Sequence, residues 1–280
     1  MSEVVRSMTP NRQKKLLQAG NILAMIATII INGLAVILPL NGKSTQALSD
    51  ALPNLFVPAN LTFSIWGIIY ILWVVFAMYQ ARDLFKKEKP QMPFLFQISW
   101  LFIISSVANS AWIFAWHYQQ VGLSLIIMII LLLTLIALYE RLDVGRSSVP
   151  LKEKLCVHLP FSVYLGWITV ATIANVTAYL VSVHWDGLGI SDVMWTIVVI
   201  GVGVLITLLA LITRRDIAYS LVVVWALLGI YLKRTAAGFT NSDVATTALI
   251  AMAIIAVGII AAVAWLVLKR AKNPAPTKPA

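Results

Sequence analysis

Residues 159–175 read LPFSVYLGWITVATIAN. Tyr164, Trp167, Ala171 and Asn175 recur at steps of three and four, which sets them on one stripe of a helix. Leu165, Ile168, Val170 and Ile173 fall on the other faces and suit lipid or helix packing. A mostly apolar helix therefore carries one face of aromatic, small and amide groups.

Composition places such a helix in a membrane. The 280 residues are 60% hydrophobic and 11% charged, whereas a soluble domain carries about 25% charged residues. The apolar runs are continuous over roughly 20 residues, where barrel strands would alternate over about 10. The expected fold is all-α, a polytopic membrane helix bundle. Eight transmembrane helices are expected, over 22–40, 61–80, 94–116, 121–139, 155–183, 194–213, 217–232 and 244–268. The run 217–232 is short and needs snorkelling by Arg215 and Lys233, or local thinning. The run 22–40 exceeds the usual signal-peptide core of about 7–15 residues and reads as the first span.

The net charge of +10 invites a nucleic-acid reading, but the charges sit between apolar runs and in the tails. Placing the N-terminus inside puts 18 of the 21 Lys and Arg on the inner side, leaving Lys43, Lys233 and Arg234 outside. The positive-inside rule predicts such a split. Both termini are expected in the cytoplasm and the chain in a bacterial inner membrane, with lipid and no nucleic acid as partner. Cys156 is the only cysteine, so no intrachain disulfide or cysteine metal cluster is possible. No Asp, Glu, Lys or Arg lies well inside a span as drawn, which argues against ion-coupled transport. His117 and His184 end the third and fifth spans on the outer side and could together hold a metal. An interfacial polar role is the commoner reading, no HExxH spacing supports ligation, and no metal site is expected.

Two more stripes accompany the first. The second span has Trp66, Tyr70 and Trp73; the third has Asn109, Trp112 and Trp116. Interfacial belting explains Trp116, Trp185, Trp195 and Trp265. It does not explain Trp167, which lies 16 residues before the end of its span at Val183, roughly 24 Å at helical rise. Asn109 and Asn175 are buried amides that need partners. Antiparallel threading puts Trp66, Asn109, Trp112 and Asn175 in the outer half. Aromatic walls with a few amides suit a flat apolar ligand; plain helix packing is the alternative. The outer loop 41–60 could lid such a site or merely tether two spans.

These residues resemble the tryptophan-rich sensory protein family, also called the translocator protein (TspO/MBR) family. Tyr164-Leu-Gly-Trp167 through Ala171 and Asn175 is similar to its fifth-helix motif. Trp66-Gly-Ile-Ile-Tyr70 resembles the second-helix element, with Pro58 before it, and Asn109-Ser-Ala-Trp112 the third-helix element. Two departures stand out: Val163-Tyr164 replaces the family's Pro-Tyr pair, and Thr62, with Phe63 beside it, replaces an aromatic or leucine. The resemblance covers about residues 20–185. It implies a five-helix core, and the three helices that follow in this chain are a further departure from the family pattern.

The expected organisation is a cytoplasmic segment 1–20, a ligand-binding bundle 21–185, three additional helices 186–268 and a disordered tail 269–280. The last three helices read as outer packing. The resemblance further implies a membrane sensor or regulator that binds tetrapyrroles, porphyrins or similar flat hydrophobic ligands. Trp66, Tyr70, Asn109, Trp112, Tyr164, Trp167, Ala171 and Asn175 are the ligand-binding candidates. A transporter of such compounds, or an enzyme that degrades porphyrin with light and oxygen, are the alternatives. No catalytic residue and no required cofactor is expected, porphyrin or haem being admitted as ligand and a homodimer as assembly.

Overall fold

The computed structural model of the protein describes residues 10–272 apart from 39, 44 and 85–89. The lysines of 86–89 and the tail at 273–280, expected to be disordered, lie outside the described residues. No strand occurs among the described residues. Among the described residues eight long helices form the bundle: α1 Pro10–Ile37, α2 Ile65–Ala81, α3 Leu101–His117, α4 Val121–Arg141, α5 Leu159–Ser182, α6 Asp192–Arg214, α7 Ile217–Thr235 and α8 Ser242–Lys272. Seven are long and apolar enough to cross a membrane, so the chain is a multi-pass integral membrane protein.

The exception is α3, at 17 residues. The single helix expected over 94–116 is broken: a short helix Pro93–Ile98 stops at Ser99, whose φ is 50°, and α3 begins at Leu101. The Ser99 N–H donates to the Leu95 carbonyl at 2.8 Å and closes that turn. A left-handed serine carries neither glycine nor proline to announce it.

The fifth helix starts earlier than drawn, at Leu151, and widens into a π turn at Lys154–His158. Pro160 explains the widening. It has no N–H, and its ring crowds the carbonyl four residues back, at Cys156. A wider turn relieves both demands.

Longer helices also bring charge inward. Because α1 begins at Pro10, ahead of the span drawn from 22, Lys14 is helical and buried near its start. Its ammonium bonds Asp83 at 2.5 Å and the Pro90 carbonyl at 2.8 Å. Gln18 donates to Asp83 at 2.7 Å, and Asn21 to Gln80 at 3.0 Å. A polar clamp thus joins α1 to the end of α2. Between α6 and α7, buried Asp216 accepts from Tyr139, from Ser162 and from the Tyr219 N–H, capping α7. Both clusters pair groups that would otherwise be stranded in apolar surroundings, Asn21 Oδ1 alone of the named groups finding no partner among the described residues.

Of the three helices expected outside the bundle, α7 is instead packed into it. The most apolar stretches of α5 and α7 are 67% and 56% buried, against 22% for α6 and 11% for α8. Gly166 permits the close approach: a Cβ there would lie 3.0 Å from the Tyr219 carbonyl and 3.2 Å from Val222. On its other side α7 meets the turn that leads into α2. The Ala59 N–H donates to the Gly229 carbonyl at 2.9 Å, and Trp225 Nε1 to the Thr62 carbonyl at 3.0 Å.

Candidate functional site: an aromatic cavity beneath the long loop

The loop after α1 folds back over the end of the bundle. Its short helix Thr45–Asp50 is fastened from two sides. On one, the fully buried ring of His117 sits with Nδ1 3.1 Å from the Leu40 carbonyl and Nε2 3.0 Å from the Thr45 hydroxyl. A carbonyl only accepts, so Nδ1 carries the proton and Nε2 accepts from Thr45. Trp116 Nε1 donates to the Thr45 carbonyl at 3.3 Å. On the other side, Asp50 forms an ion pair with Lys233 of α7.

Beneath this lid lies a cavity of about 50 Å³. Phe63, Trp66, Trp112 and Trp167 wall it, and Thr45 and Ser49 of the lid also line it. Phe63 and Trp66 both meet Trp167 edge-on, at centroid distances of 5.9 and 6.3 Å. Trp112 and Trp116 stack at 5.7 Å. Small side chains, Ala171 and Ala174, leave room beside the indoles, and Asn175 adds an amide whose Oδ1 accepts from Ser124 at 3.0 Å.

Five of the eight residues singled out by sequence line this space: Trp66, Trp112, Trp167, Ala171 and Asn175. Tyr70, Asn109 and Tyr164 stand behind the wall. Tyr70 stacks on Trp66 at 5.7 Å, and Tyr164 meets Trp73 at 4.9 Å. Asn109 is fully buried in a hydrogen-bond chain, receiving from Asn32 of α1 at 2.9 Å and donating to the Tyr164 hydroxyl at 3.2 Å. Its amide is spent on joining α1, α3 and α5.

Sequence reasoning missed Thr45, Ser49, Met128 and Phe63, all of which line the cavity. Only Phe63 carried a signal, as the aromatic beside the departure at Thr62. Thr62 itself is buried and turns toward α7, where it would meet a Cβ placed on Gly229. Trp116, read as a belt residue, is buried and belongs to the cavity wall.

The electrostatics of the site come from unpaired dipoles. Trp112 and Trp167 are 8% and 3% exposed, and neither Nε1 has a hydrogen-bond partner among the described residues. Two tryptophans with buried, unpartnered N–H groups thus contribute to the wall of the same cavity. The histidines do not assemble as a metal pair: His117 is consumed by the lid, and His184 lies in a separate pocket with Gln119 and Val181. No cluster of three or more His, Cys, Asp or Glu suited to a metal occurs among the described residues.

No curated protein and no solved structure matches the chain. The sequence profile of the TSPO-like protein family matches residues 17–261, past the 20–185 over which the resemblance was read and on through α6, α7 and most of α8. With most of its length covered, the chain belongs to the TSPO-like protein family.

Proposed function

We propose that the protein binds a flat hydrophobic ligand bearing hydrogen-bond acceptors, a tetrapyrrole such as protoporphyrin or a ring of similar shape, and acts as a membrane sensor or regulator. The observation that carries this reading is that Trp112 and Trp167 line one aromatic cavity while the buried N–H of each has no partner among the described residues. An unsatisfied buried donor costs about 1–3 kcal/mol. A ligand that offers acceptors to Trp112 and Trp167 recovers part of that cost, and its ring gains from stacking. A water needs about 10–15 Å³, so the 50 Å³ present holds a few waters at most. A tetrapyrrole is far larger and enters with displacement of the helix Thr45–Asp50.

Titration of the detergent-solubilised protein with protoporphyrin tests the proposal. Saturable binding is expected. Ala171→Leu fills the gap beside the Trp167 indole and is expected to weaken binding by about tenfold, or 1.4 kcal/mol. Trp265→Ala, on the largely exposed α8, is expected to leave it unchanged. Equal affinity of Ala171→Leu and the parent protein would place the ligand elsewhere.

The proposed setting is a bacterial inner membrane with both termini cytoplasmic. The split of 18 cations against three supports it. Reporter fusions after Lys272 and within 186–192 are expected to report inside and outside respectively. An external signal from the first overturns the orientation.

A further inference from the structure

We infer that a second site, at the lid end of α7, takes the anionic oxygen group of an amphiphile, a carboxylate or a phosphate. A pocket of about 360 Å³ opens there between the long loop and the ends of α6 and α7. Its apolar side includes Leu55, Val57 and Phe239, and its charged side holds Lys233, Arg234, Asp50 and Asp192.

The two cations are not equivalent. Lys233 is neutralised by Asp50. Arg234 is only 5% exposed, yet no carboxylate lies within ion-pair distance among the described residues. Its Nη1 donates to the Phe239 carbonyl at a long 3.4 Å, and its Nε is buried with no partner among the described residues. Asp50 acts on it from beyond contact and is already engaged with Lys233. Asp192 sits exposed at the start of α6.

Basic residues are common at helix C-termini, where they complement the helix dipole from solvent. That explanation covers an exposed arginine, not one only 5% exposed whose Nε finds no partner among the described residues. A buried unpaired charge is strongly unfavourable unless a counter-charge joins it. A guanidinium matches the planar or tetrahedral oxygens of carboxylate and phosphate. The apolar wall beside it accommodates the hydrocarbon part of the same molecule. This site shares Ser49 with the aromatic cavity but none of its tryptophans.

The full-length protein in an uncharged detergent is titrated calorimetrically with hexyl phosphate, hexanoate and hexanol. Both anions are expected to bind, more weakly as salt rises, and hexanol is not. Arg234→Gln is expected to reduce the affinity for hexyl phosphate by about ten- to a hundredfold. Arg234→Lys recovers only part, because an ammonium lacks the fork. Ala171→Leu leaves this binding unchanged, which separates the site from the proposed tetrapyrrole cavity. Binding of hexanol equal to that of hexyl phosphate, the absence of heat at millimolar anion, or unchanged affinity in Arg234→Gln each overturns the inference. Should Arg234→Gln not fold, the salt dependence and the hexanol comparison decide on the parent protein alone. In nanodiscs, weaker hexyl phosphate binding with phosphatidylglycerol than with a zwitterionic lipid identifies a lipid headgroup as the source. No difference identifies a soluble anion.

Discussion

The Trp167→Ala protein is expected to bind protoporphyrin about ten- to a hundredfold more weakly than the parent, a loss of about 1.4–2.8 kcal/mol. Trp167 is 3% exposed and sits where Phe63 and Trp66 converge edge-on. An aromatic contact contributes about 0.5–1.5 kcal/mol beyond area burial, and the lost indole area adds about 25 cal/mol per Å². Removal also empties a core position, which costs the fold itself about 3–5 kcal/mol. Trp167→Phe therefore accompanies it. Phenylalanine keeps a ring and deletes the unpartnered N–H, so the fold is largely spared while a ligand acceptor loses its donor. A drop of about two- to tenfold is expected, from a net hydrogen-bond contribution of about 0.5–1.5 kcal/mol. Fluorescence quenching titrations, with a helical spectrum recorded for each variant, give the result. Parent-like affinity in both variants would reduce the stripe to helix packing.

The second large effect concerns Gly229→Ala. A Cβ at this position would lie 1.8 Å from the Thr62 hydroxyl and 2.9 Å from both Thr62 Cβ and Pro58 Cβ. The hydroxyl can rotate away, but the two carbons cannot, so α7 must move from the turn at 58–62. Overpacking of this kind costs about 1–3 kcal/mol. The shift also strains the bonds from Ala59 to Gly229 and from Trp225 to Thr62. Since that turn carries Phe63 and leads to Trp66, protoporphyrin binding is expected to weaken along with thermal stability. Gly201→Ala serves as the counterpart. It lies in a helix with nothing near its would-be Cβ, and alanine there is expected to stabilise by about 0.5–1 kcal/mol. Thermal unfolding in detergent compares the two. An unperturbed midpoint in Gly229→Ala would show that α7 and the α2 turn are not held in contact.

The membrane helices were legible because apolar runs of this length leave few other structures. Ends and breaks were less so. The left-handed Ser99 depends on how Trp100 and the helix Pro93–Ile98 pack, and no local signal encodes it. Pro160 did encode the π turn, through its missing N–H. In the site, the stripe on α5 was legible from spacing alone, and Trp167, Ala171 and Asn175 share one cavity. Asn109 and Tyr164 have the same spacing, yet the position of Asn32 on a neighbouring helix decides their use. Thr45 and Ser49 reach the cavity only through the fold of a long loop, a tertiary fact that composition does not carry. Trp116 shows the same limit: whether an indole near a helix end faces lipid or protein is set by its neighbours, here Trp112 and the Thr45 carbonyl.

The clasped loop has a kinetic consequence. His117, Trp116 and Lys233 all hold the helix Thr45–Asp50 against one side of a space of about 50 Å³. A ligand that enters by displacing this helix must wait for the clasps to release, so its encounter and capture are separate events. In stopped-flow mixing the observed rate then rises with ligand concentration only until it meets the opening rate, where it levels off. Substituting Lys233 by methionine raises that plateau, while the slope at low ligand concentration changes in proportion to the open fraction.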